Sequence, residues 1–235
     1  MTIPIKIITK EEFLKNNNKP NQEDIWDKIS KPWKEYVVKR IPVVEKFLKN
    51  KKGKIIDLGC GTGRNMIPNP NVEYTAVDFS KGQLSHLKKH IKTNQLDAKI
   101  LKSEISNLKK IKDNTFNYGI FIASLHCIET KEKRLQSLSE LYRVLKPNGK
   151  AIITVWNSED KRFDQVNHHG DVYMAWNYED ISYMRYYYLF KKQELKDLIK
   201  KAGFKILKFS PYEEEAKNNI VRFSKKNWII EIQKV

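Results

Sequence analysis

Short apolar runs alternate with amphipathic segments along the centre of the chain. The apolar runs predict buried strands near 54–58, 72–77, 98–102, 116–122 and 149–156. Helical spacing predicts helices from Ser80 to about 93 and near 131–145, and a short helix is expected after Gly63. Ser80 is a suitable N-cap, and 147–149 (Pro-Asn-Gly) provides a turn before the fifth strand. This alternation is typical of an α/β fold with a doubly wound parallel sheet.

The chain before the first strand divides into two parts. Residues 1–20 are polar, and we expect a loosely ordered segment there that carries no chemistry. From 22 to 49 apolar residues recur at helical spacing, with Pro32 and Pro42 as helix boundaries. These N-terminal helices are expected to cover the cleft at the carboxyl ends of the strands.

The last third of the chain predicts an insertion and a closing hairpin. An aromatic-rich insertion at about 158–184 interrupts what is otherwise a single domain over 21–235. A helix near 191–202, closed by Gly203, leads to strands near 204–209 and 227–232. Consecutive strands joined by a loop pair most easily antiparallel. The prediction is a seven-stranded Rossmann-like sheet with a C-terminal antiparallel hairpin.

The first strand ends in a glycine-rich loop with an acidic residue on each side of it. Asp57 precedes glycines at 59, 61 and 63, and Asp78 follows 21 positions after Asp57, at the end of the next strand. Glycines there let the backbone turn sharply and approach a ligand, and the second carboxylate can accept protons from ribose hydroxyls. A purely structural turn is the alternative, but the ordered combination favours an adenosine-type cofactor.

The identity of the cofactor follows from the loop. A dinucleotide fingerprint would need glycine where the chain has Arg64, and Asp57 would repel a pyrophosphate but attract a cation. S-adenosylmethionine carries a sulfonium and an ammonium, and the pattern resembles motif I of class I methyltransferases that use it. The predicted cofactor-binding residues are Asp57, Gly59, Cys60, Gly61, Thr62, Gly63, Asp78, Phe79, Glu104, Ile105 and Ala123.

Length, cysteine content and charge narrow the class of protein. A chain of 235 residues suits one domain, and its two cysteines lack metal-ligand or disulfide spacing, so we expect no metal site. No apolar run is long enough to span a membrane, which predicts a cytoplasmic protein without membrane contact. The net charge of +17 favours a polyanion such as RNA, although an excess of lysine over only seven arginines also fits a compositional bias.

Candidate catalytic side chains follow the fourth and fifth strands. His126 lies just beyond the fourth strand, and Arg134 lies on the next helix. Near neutrality a histidine can act as a base or hydrogen-bond a substrate, although a packed core histidine is the alternative. Trp156, Asn157 and the aromatic run that includes Arg185 would face the same cleft, where rings could stack on RNA bases or could simply cover the core.

Several motifs resemble those of the wobble-uridine tRNA methyltransferases, which esterify 5-carboxymethyluridine and work with a small zinc-binding activator subunit. The matching segments are 122–126 for the family's I-A-V-I-H-H, 140–147 for E-L-x-R-V-L-x-P, 155–156 for its V-W, 185–190 for R-Y-Y-H-x-F, and 227–228 near the end. The chain departs from the family at Val37, Cys127 and Tyr188, where arginine, histidine and histidine are usual.

The resemblance implies a tRNA substrate, the zinc-binding activator as a partner, and S-adenosylmethionine as cofactor. It also implies that His126, Arg134 and Arg185 orient the uridine carboxylate or a nearby phosphate. The expected substrate-binding residues are Arg64, Trp156, Asn157, Tyr187 and Tyr188. Two other hypotheses stay open: a methyltransferase for a small molecule or protein, and a non-catalytic RNA-binding module on the same fold.

Overall fold

A computed structural model describes residues 6–211 and 227–235. Its strands are β1 (Ile7–Thr9), β2 (Gly53–Leu58), β3 (Val72–Asp78), β4 (Ala98–Lys102), β5 (Phe116–Ile122), β6 (Leu145–Trp156), β7 (Gly170–Tyr178), β8 (Ile181–Leu189), β9 (Phe204–Pro211) and β10 (Asn227–Lys234). Its helices are α1 (Lys10–Leu14), α2 (Gln22–Lys28), α3 (Ser30–Tyr36), α4 (Pro42–Leu48), α5 (Lys81–Asn94), α6 (Lys131–Val144) and α7 (Lys192–Lys201). The described helices include none that is both apolar and long enough to cross a bilayer.

The larger sheet has seven strands in the order β4-β3-β2-β5-β6-β10-β9. Strands β2 to β6 are mutually parallel, and β10 pairs antiparallel with both β6 and β9. This confirms the predicted doubly wound sheet and its closing hairpin. The inner strand β2 carries a buried apolar run because it is covered on both faces, and Ile55, Ile56 and Leu58 are fully buried.

The predicted helices after β3 and β5 form with local signals that fix their ends. The Ser80 side chain accepts from the Gln83 N–H and caps α5, which ends at Gln95 in the left-handed conformation. Thr130 caps α6 in the same way by accepting from the Lys133 N–H. The 147–149 turn forms a bulge inside β6, since Leu145 pairs with Phe116 whereas Lys150 pairs with Tyr118.

One predicted element is wrong: no helix follows Gly63. Residues 59 to 71 form turns and irregular backbone between β2 and β3. Pro68 and Pro70 lie in this stretch, and each disfavours helical backbone at the residue before it and removes a backbone donor. The Tyr74 hydroxyl holds the segment instead, since it accepts from the Ile67 N–H at 3.1 Å and donates to the Ile67 carbonyl at 3.3 Å.

The insertion and the N-terminal segment fold together. Strands β7 and β8 form an antiparallel hairpin, and β1 pairs antiparallel with β7 to give a second, three-stranded sheet. The hairpin therefore continues past the expected insertion limit at 184. The expectation of a loosely ordered N-terminal segment is wrong for residues 6–14, because Ile7 is buried and β1 and α1 pack on β7. Residues 1–5 and 212–226, where the connection between the last two strands is predicted, lie outside the described part.

Helices α2, α3 and α4 precede β2, as predicted, and α2 is fastened at two places. The Gln22 side chain donates to the Met184 carbonyl at 3.2 Å and accepts from the Tyr186 N–H at 2.9 Å. Its amide thus pairs with the backbone of β8 in the way that a residue of a neighbouring strand would. Asp27 accepts from the Ser80 hydroxyl and from the Gly82 N–H, both at the start of α5. These bonds hold α2 over the carboxyl ends of β2 and β3.

Candidate active site

The glycine-rich loop after β2 needs its glycines for steric reasons. Gly59, Gly61 and Gly63 all have positive φ, at 65°, 53° and 81°. A Cβ on Gly59 would lie 2.4 Å from the Ser124 hydroxyl, and one on Gly63 would lie 2.4 Å from Leu87. A Cβ on Gly61 would meet nothing closer than Gln83 at 3.7 Å, so the backbone at Gly61 faces open space.

Asp78 at the end of β3 holds this loop. One carboxylate oxygen accepts from the Gly61 N–H at 2.9 Å and the other from the Ser80 N–H at 2.9 Å. Burial raises the pKa of Asp78 to about 6, and the backbone hydrogen bonds oppose that shift. Each oxygen still has a free lone pair, so Asp78 can also accept from a ligand hydroxyl.

Asp57 lies at the end of β2, next to the loop, and is almost completely buried. Its Oδ2 has no hydrogen-bond partner among the described residues. Burial first and the charge on Asp78 second raise the pKa of Asp57, Arg64 opposes them, and the result is a pKa of about 8. A cation beside Asp57 would lower this pKa and favour the ionised carboxylate, so the unpaired oxygen suits a positively charged ligand.

A cavity of about 440 Å³ opens beside the loop. The predicted cofactor-binding residues that line it are Gly59, Cys60, Gly61, Thr62, Asp78, Phe79, Glu104, Ile105 and Ala123. Of the remaining two, Asp57 lies behind the loop and Gly63 packs against Leu87. Glu104, expected to accept from an adenine amino group, also forms an ion pair with Lys133 at 2.7 Å.

The N-terminal helices cover the cavity, as expected, but the sequence did not single out the residues of these helices that line it. Gln22 and Trp26 of α2, Trp33 of α3 and Val37 after it all line the cavity. The tryptophans belong to an amphipathic pattern that predicts only core packing, so no sequence signal separated them from ordinary core residues. Gln83 of α5 was missed as well: it lines the cavity, is buried, and both amide atoms lack partners among the described residues.

His126 lies behind the cavity wall, so its predicted contact with substrate is not seen. The residue is 1% exposed, and its ring packs against Trp156 at 4.8 Å and against Tyr187 at 5.5 Å between centroids. Burial, together with the charge of Arg162, lowers the pKa of His126 to about 3, so the imidazole is neutral at pH 7. The neighbouring Cys127, rather than His126, lines the cavity.

Arg134 is also placed differently from the prediction. Its guanidinium donates to the Ile128 carbonyl at 2.8 Å and to the Tyr186 hydroxyl at 3.1 Å. The same group lies 3.7 Å from the centre of the Tyr188 ring. Arg134 is buried, does not line the cavity, and through these contacts links α6 to β8.

Arg185 is buried beside the covering helices. It donates to the Tyr187 hydroxyl at 2.7 Å, and its guanidinium lies 5.9 Å from Trp26, 5.2 Å from Trp33 and 5.0 Å from Trp176, measured to ring centres. Its Nε has no partner among the described residues. Its charge also lowers the pKa of Cys127, which burial raises to about 12. Arg185 thus lies directly behind the cavity wall formed by Trp26, Trp33 and Cys127.

Only one of the predicted substrate-binding residues lines the cavity, and that is Arg64. Trp156 and Tyr187 stack on each other at 3.9 Å, and Tyr188 donates to Glu194 at 2.6 Å. Asn157 caps the turn after β6 by accepting from the Glu159 N–H at 3.0 Å. These four side chains support the cavity from behind in this structure. In 6–211 and 227–235 no three His, Cys, Asp or Glu side chains group as metal ligands would.

Residues 49–203 match the family model described as a methyltransferase domain. The chain therefore belongs to this family, and it is a methyltransferase that depends on S-adenosylmethionine. It is 31% identical over 210 residues to the tRNA (carboxymethyluridine(34)-5-O)-methyltransferase of Schizosaccharomyces pombe, an alignment that covers 78% of this chain and 88% of that protein.

The enzyme of the same name from Saccharomyces cerevisiae is 31% identical over 151 residues, which cover 62% of this chain and 50% of that protein. Among solved structures, a Burkholderia thailandensis 1,6-didemethyltoxoflavin-N1-methyltransferase with bound S-adenosylhomocysteine has a TM-score of 0.69. It is 13% identical, with 98% of this chain and 96% of that chain covered, and so shows the shared fold alone.

The residues of the cavity fit S-adenosylmethionine. The open backbone at Gly61 leaves room for a ligand, and Asp78 has lone pairs for ribose hydroxyls. The unpaired Oδ2 of Asp57 suits a nearby positive charge, and the unpartnered amide of Gln83 provides a further donor and acceptor. Phe79 and Ile105 offer apolar surfaces to an adenine ring.

Proposed function

We propose that this methyltransferase esterifies the carboxylate of 5-carboxymethyluridine at the wobble position of tRNA. The similarity to the Schizosaccharomyces pombe enzyme, over 78% of the chain, supports this substrate. The observation in the structure that carries the proposal is Arg185, a buried cation directly behind the wall of the cofactor cavity.

Arg185 suits a carboxylate substrate because its charge is poorly compensated. No described carboxylate pairs with it; its recorded acceptor is the Tyr187 hydroxyl, and its remaining neighbours are aromatic faces. A buried guanidinium is costly unless an anion joins it, and its planar fork matches a carboxylate bidentately. Movement of Trp26 or Trp33 would open the path between Arg185 and the cavity.

Methylation of a carboxylate requires no proton transfer by the protein. S-adenosylmethionine supplies the methyl group from its sulfonium. The carboxylate oxygen of the uridine forms the new bond to carbon, the carbon–sulfur bond breaks with its electron pair on sulfur, and no proton moves. The carboxylate is already ionised at pH 7, so a base is unnecessary, which agrees with a neutral, buried His126.

The protein would therefore act by positioning and by excluding water. Arg185 orients the carboxylate, and the roof formed by Trp26 and Trp33 lowers the dielectric around the reacting atoms. His126 and Arg134 act indirectly in this proposal, because His126 packs on Tyr187 and Arg134 supports Tyr186 and Tyr188. Arg64, in the cavity wall, is the second cation available for a phosphate or carboxylate.

A small zinc-binding activator subunit is part of the proposal. Strand β4 is an edge of the larger sheet, and Ile100 and Leu101 on it are only half-buried. An edge strand with unpaired backbone groups and apolar side chains is a suitable docking site for a partner. Size-exclusion chromatography coupled to light scattering, with and without the activator, would test this, and a fully active monomer would refute it.

The activity test uses labelled S-adenosylmethionine and total tRNA that contains 5-carboxymethyluridine, with the enzyme alone and with the activator. Mass spectrometry of the nucleosides should find a methyl ester on the wobble uridine. Arg185→Ala should abolish the ester without weakening cofactor binding, and Arg185→Lys should restore little of it because a point charge lacks the bidentate fork.

Calorimetric measurement of cofactor binding shows whether a missing methyl ester results from loss of the cofactor site, loss of substrate orientation, or a wrong substrate. If Arg185→Ala loses cofactor binding together with activity, the substitution has disturbed the cover formed by Trp26 and Trp33. A role of Arg185 in orienting the substrate is then refuted as the reason for the lost activity. Normal cofactor binding by the wild type without any label in tRNA would refute the tRNA substrate. It would favour a small-molecule or protein acceptor on the same fold.

A further inference from the structure

Three aromatic rings from two separate elements form a cluster at the surface. We call Trp33 and Tyr36 of α3 and Trp176 of β7 the aromatic platform. Ring centres lie 5.3 Å apart between Trp33 and Trp176, 5.2 Å between Tyr36 and Trp176, and 6.1 Å between Trp33 and Tyr36. Tyr36 is 71% exposed despite these contacts. A tyrosine that served only to cover the core would be buried.

The aromatic platform adjoins the mouth of the cofactor cavity. Trp33 belongs to both, since it lines the cavity and contacts Tyr36 and Trp176. Val37, the residue after Tyr36, also lines the cavity, and Val38 beyond it is 70% exposed. The exposed ring of Tyr36 therefore lies next to two residues of the cavity wall, Trp33 and Val37.

The surface next to the aromatic platform is positively charged. Lys34 and Lys89 contribute to lowering the pKa of His86, and Arg40 and Lys34 do the same for His90. Acidic residues are present as well: Glu35 raises the pKa of His86 and, after Glu179, that of Tyr178, and Glu45 lies 3.6 Å from Arg40. Helices α3 and α5 together carry six lysines and one acidic residue, Glu35, which leaves an excess of positive charge along them.

We infer that the aromatic platform stacks a nucleobase adjacent to the modified nucleotide, while Lys34, Arg40 and Lys89 contact the RNA phosphates. An exposed ring beside cations fits an unpaired base with its phosphate better than it fits a protein surface, because it offers a π-face and charge together. The inference rests on the proposed tRNA substrate and names a second contact for it, outside the cavity.

The test measures binding directly, by fluorescence anisotropy with a labelled anticodon stem-loop at fixed salt. Tyr36→Ala should weaken binding about 5- to 150-fold, the range that a base stacked on an aromatic residue accounts for. Tyr36→Phe keeps the ring and should bind like the wild type. Leu207→Ala removes an exposed apolar residue of β9, on the far edge of the sheet, and should also have no effect.

Cofactor affinity, measured on the same variants, should not change, because Tyr36 does not line the cavity. Equal RNA affinities for Tyr36→Ala and Leu207→Ala would overturn the inference. So would loss of association with an activator subunit at unchanged RNA affinity, since the surface would then belong to a protein partner. The readout is RNA binding and not methylation. The stacking inference can therefore fail while the methyl-ester activity is present, and the activity can be absent while the stacking inference holds.

Discussion

Asp57 links the cofactor site to the pH dependence of folding. Its pKa rises from 3.8 to about 8 in the folded protein because of burial first and the charge of Asp78 second. Between these pH values the folded protein holds a proton that the unfolded chain has released. The free energy of unfolding should therefore fall as pH rises from about 4 to about 8, by at most about 1.4 kcal/mol per pH unit for this group.

Asp57→Asn removes this titration, so we expect the variant to gain stability relative to the wild type as pH rises through that window. Urea denaturation at a series of pH values measures the difference. Asp97→Asn, a change at an exposed aspartate before β4, is the matched control. A constant difference between Asp57→Asn and the wild type across the window would contradict the raised pKa.

Arg134 illustrates how a predicted substrate contact becomes a structural one. Arg134→Ala would remove charged hydrogen bonds to the Ile128 carbonyl and the Tyr186 hydroxyl and the contact with Tyr188. We expect a loss of about 2 to 4 kcal/mol in the free energy of unfolding, measured in denaturant. Activity per folded molecule should change far less than it does in Arg185→Ala.

Lys131→Ala, at an exposed position in the first turn of the same helix, controls for changes in α6 itself. Should Arg134→Ala unfold like the control and yet lose tRNA methylation, the original prediction of a direct substrate contact would be restored. An intermediate stability with normal activity would still support the structural role.

Most of the predicted cofactor-binding residues line the cavity, whereas His126, Arg134 and Arg185 do not, and backbone geometry explains the placement of the loop and of His126. The glycine loop is constrained by φ angles that only certain residues adopt easily, so its position follows from its composition. After β5, by contrast, Ala123 has a φ of 52° and residues 125–127 form a 3-10 turn. This turn directs Cys127 into the cavity and His126 away from it, an outcome that alternation along a strand does not predict.

Among the elements, α2 forms the roof of the cavity, and a single side chain ties it to α5. Asp27 accepts from the Ser80 hydroxyl at 2.5 Å and from the Gly82 N–H at 2.9 Å. Asp27→Ala removes both bonds and should let α2, with Trp26, move away from the cavity. We expect about a tenfold weaker affinity for S-adenosylmethionine, measured by calorimetry, since hydrogen bonds to a charged group contribute about 1.5 to 3 kcal/mol.

Asp24→Ala lies on the same helix but is exposed, and so tests whether any loss of an acidic residue from α2 has this effect. Equal affinities of the two variants would show that the roof contributes nothing to cofactor binding. If Asp24→Ala keeps its affinity for S-adenosylmethionine and Asp27→Ala does not, the bonds from Ser80 and Gly82 to Asp27 position α2 over the cofactor.

The elements that were predicted correctly are those with strong local signals. Buried apolar runs and side-chain caps locate β2 to β6 and the helices α5 and α6 to within a few residues. The helix expected after Gly63 from the alternation of strands and helices is prevented by Pro68 and Pro70, a signal that is present in the sequence. Strand β1 depends on pairing with β7, which is distant in sequence, so its short polar surroundings gave no indication of order.

At the scale of the whole molecule, the net charge of +17 has two explanations: a surface for RNA, or a general excess of lysine. The dependence of tRNA affinity on salt distinguishes them. If cations meet phosphates at defined places, the logarithm of the binding constant should fall with the logarithm of salt concentration at a slope steeper than about −3, which corresponds to four or more phosphates.

Substitutions at two different places on the surface separate an RNA-binding surface from a general excess of lysine. Replacing both Lys34 and Lys89 with alanine should reduce the magnitude of that slope by about 1.4 to 1.8, because each contact contributes about 0.7 to 0.9. Replacing both Lys205 and Lys208 of β9, on the opposite edge of the sheet, removes the same charge and should leave the slope unchanged. Equal changes in the salt slope of the two double variants would mean that only the net charge of the protein affects tRNA binding. The lysine excess would then be a property of composition and not of a binding surface.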